Sequence, residues 1–402
     1  MRGPFNAGGA DPRGVGGEYL ERVQALAPQI EACADQIERE RRLPSALLAA
    51  LIDASLFRLL LPRSLDGAEV DPVTFVRVIE AVSSADASTA WCLCQTAGCS
   101  MVAAYLRPAV AREIFGRDPR AILAWGPASE ARAIAVDGGY RVTGTWNFAS
   151  GGRHATWLGG YCPIGAPDGT LRRGEDGTPV GRTMLFPATS ATMLDVWHVI
   201  GLKGTGSDSF SVSDLFVPDE HSVARDDPSE RRHSGPLYCF TTGSLFAAGF
   251  AGVALGIARR TLDAFVDLAK AKTPRGFTRP LRDNAVVQSQ VAQAEARLGS
   301  ARLFLLASLE EIWREVGRLG SLTLDQRVRI RLCATYAIHQ AKEVVETAYH
   351  AAGATAIFAS GAFERRFRDM HAVTQQLQGR QAHFETVGRV MLNGDPDGTF
   401  LG

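Results

Sequence analysis

The chain has 402 residues, 46% of them hydrophobic and 21% charged, which describes an ordinary globular protein rather than a disordered or fibrous one. Its 43 basic and 43 acidic residues cancel, so no basic excess marks a nucleic-acid surface. The length exceeds what one compact core usually reaches, and two or three domains are expected.

Residues 1–18 are Gly-rich, carry no apolar signal segment and read as a flexible tail. From Tyr19 the apolar positions Leu20, Val23, Leu26, Ile30, Cys33 and Ile37 step by three and four, the face of one helix. A second helix starts at Pro44, and a third takes Asp71 as its N-cap and Pro72 as its first residue. "ASTAWCLCQTAGCSMVAAYL" and "PAVAREIFG" continue the helical text, so residues 19–124 read as an α-helical domain. Strand alternation broken by Gly, Pro, Asp and Ser turns then marks residues 125–235 as a β domain, with "APDGTLRRGEDGTPVGR" as a polar hairpin excursion.

Residues 236–402 return to helix in four long amphipathic segments, the pattern of an antiparallel four-helix bundle. "LYCFTTGSLFAAGFAGVALGIA" comes nearest to a membrane span. It is rich in Gly and Ala and ends in Arg259 and Arg260, so it reads as a buried bundle helix, and no membrane contact is expected. The seven cysteines are scattered and odd in number, without zinc spacing. They read as buried, reduced thiols, and no metal is expected.

Two glycine-rich texts stand out. In "TWNFASGGRHATWLGG" the chain leaves a predicted strand. Trp146 and Phe148, two apart on that strand, share one face and offer a wall for a flat ring, with Ser150 next on the same face. The same residues also suit a packed barrel corner. "GLKGTGSDSF" has the glycines of a phosphate cradle but lacks the Gly-Lys-Ser/Thr ending, and it reads equally as a tight hairpin. No Rossmann fingerprint, nucleophile elbow or His-Glu-x-x-His helix occurs.

The helical, β, helical order, with "GGYRVTGTWNFASGGRHATW", "VWHVIGLKGTGSDSFSVSDLFVP", "AVVQSQVAQAEARL" and "FERRFRDMHAVTQQLQGR", resembles the acyl-CoA dehydrogenase superfamily. More narrowly it resembles the flavin-dependent monooxygenase branch, the oxygenase components of two-component systems, over residues 19–395. The resemblance implies an α+β fold: an N-terminal helical domain, a central small β-barrel domain and a C-terminal four-helix bundle. It implies a flavin ring between β domain and bundle, completed by a neighbouring subunit of a homotetramer, a dimer of dimers. The Trp-x-x-x-Ser-Gly motif falls on Trp146, Ser150 and Gly151, and implies that Ser150 hydrogen-bonds the ring nitrogen that carries the reducing hydrogen. At the phosphate end it implies roles for Arg282 and Gln288, reaching into the adjacent subunit's cofactor, and for Thr355 nearby. His154 and Trp157 read as structural.

A dehydrogenase of this superfamily needs a carboxylate base. The places that the resemblance assigns to it fall near Gln376 and Leu377, or between Thr242 and Leu245, and neither holds an acid. The expected function is therefore a reduced-flavin-dependent monooxygenase acting on a small aromatic, heteroaromatic or polycyclic compound in the cytoplasm. Reduced FMN or FAD would come from a separate flavin reductase, with molecular oxygen as co-substrate. A flavin oxidase or dehydrogenase of the same fold, or a catalytically decayed flavin-binding protein, stays as the alternative. Where many members of the branch have Gln-His, this chain has Gln375 and Gln376, leaving His371 as the imidazole nearby. Ser150, His371 and Gln376 are thus the candidate catalytic residues, although glutamine cannot shuttle a proton. On one helix the last two would lie about 140° apart.

Overall fold

The computed structural model describes residues 16–175 and 177–396, so the expected tail lies outside this range up to residue 15. Five helices come first: α1 (Gly17–Glu40), α2 (Ser45–Asp53), α3 (Pro72–Ala85), α4 (Ala87–Ser100) and the single turn α5 (Pro108–Ala111). Asp71 caps α3 as the sequence predicts, accepting from Val73 N–H at 2.9 Å and Thr74 N–H at 3.0 Å, with Pro72 first in the helix. Asp86 ends α3 and caps α4 through Thr89 N–H at 2.7 Å, so a single residue makes the corner.

Eight strands follow: β1 (Leu123–Trp125), β2 (Ala128–Val136), β3 (Gly139–Trp146), β4 (Trp157–Gly165), β5 (Gly181–Pro187), β6 (Thr192–Leu194), β7 (Ser209–Pro218) and β8 (Ser222–Val223). They form one curled sheet in the order β6-β7-β3-β2-β4-β5-β8, with β1 parallel to β4. The polar excursion between β4 and β5 is a hairpin extension with bridges Gly165 to Leu171 and Arg173 to Pro179.

The C-terminal region holds α6 (Thr242–Ala271), α7 (Ala285–Leu319), α8 (Leu324–Ala352), α9 (Glu364–Gln375) and α10 (Ala382–Met391). α6 is the helix with membrane-like composition, and 89% of its most apolar window is buried within the protein. Its small residues allow close approach to α3 and α4: a Cβ at Gly256 would lie 2.4 Å from the Glu80 carbonyl, and one at Gly249 2.5 Å from the Cys94 sulfur. All seven cysteines are free thiols, six of them buried. The fourth bundle segment is corrected. Instead of one long helix it breaks after Gln375, where Gln376 turns extended, and resumes as α10. Side chains hold the break: His339 Nε2 lies 2.9 Å from the Gly379 carbonyl, Arg331 bonds Gln378, and His383 Nε2 lies 2.7 Å from the Leu377 carbonyl.

Candidate active site

Trp146 ends β3 with its ring fully inside the sheet core, stacked on Phe210 at 5.2 Å between centroids, its Nε1 donating to the Tyr161 carbonyl at 3.1 Å. Phe148 then takes φ +57°, a left-handed backbone that breaks the two-residue alternation of a strand. The expectation that these two rings share a face is therefore corrected. Trp146 is a core residue, and Phe148 alone, 60% exposed, presents its ring outward, edge-on to Trp197 at 6.0 Å.

Ser150 follows in a tight turn whose next residue, Gly151, has φ +76°. A Cβ at Gly151 would also come within 3.0 Å of Thr96, so glycine suits this position twice over. The Ser150 hydroxyl is buried. It accepts from Trp91 Nε1 of α4 at 3.0 Å and lies 2.6 Å from the Ser207 hydroxyl. Ser207 in turn lies 2.7 Å from the Thr205 hydroxyl, which donates to the Leu202 carbonyl at 2.8 Å. Trp91 stacks on Phe250 of α6 at 4.1 Å, and Phe250 on Phe246 at 5.7 Å, an aromatic wall joining helical domain and bundle. His154 accepts from Leu43 N–H at 3.0 Å, and burial pushes its imidazole down to about 4, so it acts as a neutral tie between the domains. Trp157 stacks on His221 at 5.7 Å, in keeping with its structural reading.

The loop carrying Trp197 and Thr205 is pinned on two sides. Asp208 accepts from Arg153 Nε at 2.6 Å and from the Val196 and Trp197 amides, both at 3.1 Å, while Asp195 pairs with Arg41 at 2.6 Å. On the other side Asp369 of α9 accepts from Leu202 N–H at 2.6 Å, and burial pushes its carboxyl up to about 7. A cleft of about 750 Å³ opens beside this loop, lined by Trp197, Lys203, Arg41, Arg365 and Arg368 among others. Those cations are paired with Asp35, Glu38, Glu364 and Asp195, so the cleft is not a bare anion site.

His371 lies on α9 with its ring 4.3 Å from Phe367 and its Nε2 3.5 Å from the Glu346 carboxylate of α8. Gln376 is the residue after the helix, so helical geometry no longer relates the two, and the 140° reading is corrected. The Gln376 Oε1 accepts from Gln378 N–H at 2.8 Å, whereas its buried Nε2 has no partner among the described residues. At the far end of the bundle, Gln288 Nε2 donates to the Arg282 carbonyl at 2.9 Å, and the Arg282 guanidinium is exposed beside Asp283 at 3.8 Å. Thr355 accepts from Lys272 Nζ at 2.8 Å. A shared apolar cluster containing Leu281, Val287, Ala352 and Ala356 brings these segments together. Lys272, Thr205, Ser207 and Trp197 escaped the sequence reading as site residues. The "GLKGTGSDSF" text held Thr205 and Ser207 but left a phosphate cradle and a tight hairpin equally open.

These residues fit a flavin: an exposed aromatic face at Phe148, a hydroxyl beside it at Ser150, and an unpaired buried donor at Gln376. Among the described residues no group of His, Cys, Asp and Glu is arranged to hold a metal.

Comparison with known proteins adds to this geometry. Residues 19–115 match the acyl-CoA dehydrogenase N-terminal domain, and residues 248–379 match the acyl-CoA dehydrogenase C-terminal domain. Indole-3-acetate monooxygenase of Pseudomonas putida is 28% identical over 385 residues, covering 92% of this chain and 95% of that protein. The flavin-dependent monooxygenase oxygenase subunit HsaA of Mycobacterium tuberculosis is 26% identical over 390 residues, covering 95% of this chain and 93% of that one. The structure of XiaF from Streptomyces sp. in complex with FADH2 and glycerol superposes with a TM-score of 0.87 at 25% identity, covering 95% of this chain and 96% of that one.

Proposed function

We infer that this chain, which belongs to the acyl-CoA dehydrogenase family and within it to the flavin-dependent monooxygenases, is the oxygenase component of a two-component system. The observation that carries the reading is Ser150: a buried hydroxyl held by an indole N–H and a second hydroxyl, next to an outward-facing aromatic ring. The bound reduced flavin, FAD or FMN, would supply the electrons that activate oxygen. Ser150 would hold the ring edge, Phe148 and Trp197 would cover its face, and the Trp91, Phe246 and Phe250 wall would keep water from the reacting atoms. The Trp146 ring, enclosed in the sheet, supports the turn from behind.

The dehydrogenase alternative lacks its base. Gln376 and Leu377 stand where a carboxylate is needed, and Asp369 is engaged with the Leu202 amide. The substrate is a small aromatic, heteroaromatic or polycyclic compound, in line with the indole-3-acetate named for one relative. Gln376 donates without taking up a proton, so substrates that need no deprotonation are favoured. The partner is a separate flavin reductase, in the cytoplasm, where seven free thiols stay reduced. A dimer of dimers is the proposed assembly; exposed Val286, Leu303, Ile357 and Phe358 in the C-terminal region support an association face there, and Arg282, Gln288, Lys272 and Thr355 would meet the phosphates of a neighbouring subunit's flavin. The test is aerobic turnover with a generic flavin reductase, NADH and a panel of indoles and phenols. An oxygenated product supports the reading, and reductase-only oxygen consumption across the whole panel counts against it.

A further inference from the structure

The hydroxyls behind Ser150 form a chain in which hydrogens can be counted. Ser150 meets Ser207, Ser207 meets Thr205, and Thr205 meets the Leu202 carbonyl, at 2.6, 2.7 and 2.8 Å. Three hydroxyls bring three hydrogens to three contacts. All three are satisfied in one direction only: Ser150 donates to Ser207, Ser207 to Thr205, and Thr205 to Leu202. Trp91 Nε1 adds a hydrogen toward Ser150, which therefore acts as acceptor there. In this arrangement Ser150 has no hydrogen left for a ligand.

We propose that Thr205 and Ser207 form a reversible relay that sets whether Ser150 can donate to the flavin, and that ligand binding reverses its direction. The inference rests on the reading of Ser150 as the flavin's hydrogen-bond partner. When Ser150 donates outward, Ser207 must donate to Ser150 and Thr205 to Ser207. The Leu202 carbonyl then loses Thr205. It keeps two other donors, Trp197 Nε1 at 3.1 Å and the Thr205 N–H at 3.2 Å. Ser150, Ser207 and Thr205 are all buried, so water offers no easy substitute for a missing hydrogen. Reversal thus costs one hydrogen bond at a carbonyl already served by others, a small barrier between two filled patterns. Thr205 and Ser207 are positioning residues in this scheme. They act on the flavin through Ser150.

The relay has a consequence of unusual sign. Thr205→Val removes the acceptor that draws the Ser207 hydrogen away from Ser150. The chain is then set for outward donation before the ligand arrives, and reduced flavin should bind about two- to tenfold more tightly, the equivalent of one ordinary hydrogen bond. Thr205→Ser, which keeps the hydroxyl, should behave as wild type. Ser207→Ala removes the acceptor of the Ser150 hydrogen, leaves that hydrogen free for the ligand and should likewise tighten binding. It serves as an independent variant should Thr205→Val fail to fold. The experiment is anaerobic titration of each variant with chemically reduced FAD and FMN, in wild-type and Ser150→Ala backgrounds, read as a dissociation constant. The relay is supported if Ser150→Ala weakens binding and the Thr205→Val and Ser207→Ala effects disappear in that background. If Ser150→Ala weakens binding but Thr205→Val binds no more tightly than wild type, the relay is wrong and the flavin role of Ser150 stands. If Ser150→Ala leaves the constant unchanged, Ser150 does not contact the flavin, and both readings fall.

Discussion

Replacing Gln376 by Met separates the stability of the empty protein from its affinity for ligand. The Gln376 Oε1 accepts from Gln378 N–H at 2.8 Å, and leaving the amide of buried Gln378 without that acceptor costs about 1–3 kcal/mol. Its Nε2 is buried and has no partner among the described residues, and removing such a donor returns about 1–3 kcal/mol. Methionine fills a similar shape with an adaptable chain, so little is added for packing. The two effects oppose each other and are of equal size, so the apo variant should lie within about 2 kcal/mol of wild type. If Nε2 is aimed at the flavin or its oxygen, the same change removes one ligand bond and weakens reduced-flavin binding about two- to tenfold. The assay pairs urea denaturation of the apo protein with anaerobic titration of reduced flavin. A variant of comparable stability that binds with unchanged affinity and unchanged product yield would show that Gln376 does not face the ligand. Gln376→His extends the test, since an imidazole there could take up a proton. If it leaves activity and its pH profile untouched, the transferred role fails.

Phe148→Ala should leave stability nearly unchanged, because the ring is already 60% exposed, yet weaken flavin binding; equal affinities would remove it from the site. Burial raises the Asp369 carboxyl to about 7, which favours the proton-bound folded form. Its contribution is present at acid pH and lost as pH rises through about 7. His154, pushed down to about 4, works in the opposite sense and contributes stability that is lost as pH falls from the ordinary histidine range through about 4. The stability of wild type relative to Asp369→Asn, which keeps an acceptor for Leu202 N–H, should therefore fall as pH rises from about 4 to about 7 and hold constant above that. A parallel decline in both proteins would contradict this. Arg282→Ala should weaken flavin binding only where the subunits associate, read by titration alongside sedimentation. A monomer that binds as tightly as the assembly would contradict the cross-subunit role.

Much of the fold was legible because local chemistry and tertiary packing agree. Asp71 and Pro72 cap and open α3 as their side chains require, and the small residues of α6 announce close helix packing more than a membrane. The errors have physical causes. Strand alternation placed Trp146 and Phe148 together, but a left-handed Phe148 turned the second ring outward, a conformation that nothing in its own side chain announces. The amphipathic pattern from Arg366 to Met391 runs through Leu377 without a proline, and the break there is held by Arg331, His339 and His383, two of them on another helix. The Ser150 relay joins residues 57 positions apart, so only the fold could assemble it. The family pattern pointed to Ser150, Gly151 and Gln376, and packing supplied Trp91, Thr205 and Ser207 around Ser150.

The central claim is that this chain transfers an oxygen atom from dioxygen to an aromatic compound using flavin reduced elsewhere. The most direct measurement supplies chemically reduced flavin, an accepted indole or phenol and heavy-isotope dioxygen, with no reductase present, and weighs the product. The account predicts a product carrying one heavy oxygen atom, formed only with the protein and the reduced flavin together. A product whose new oxygen comes from water, or a desaturated product with no added oxygen, would contradict it.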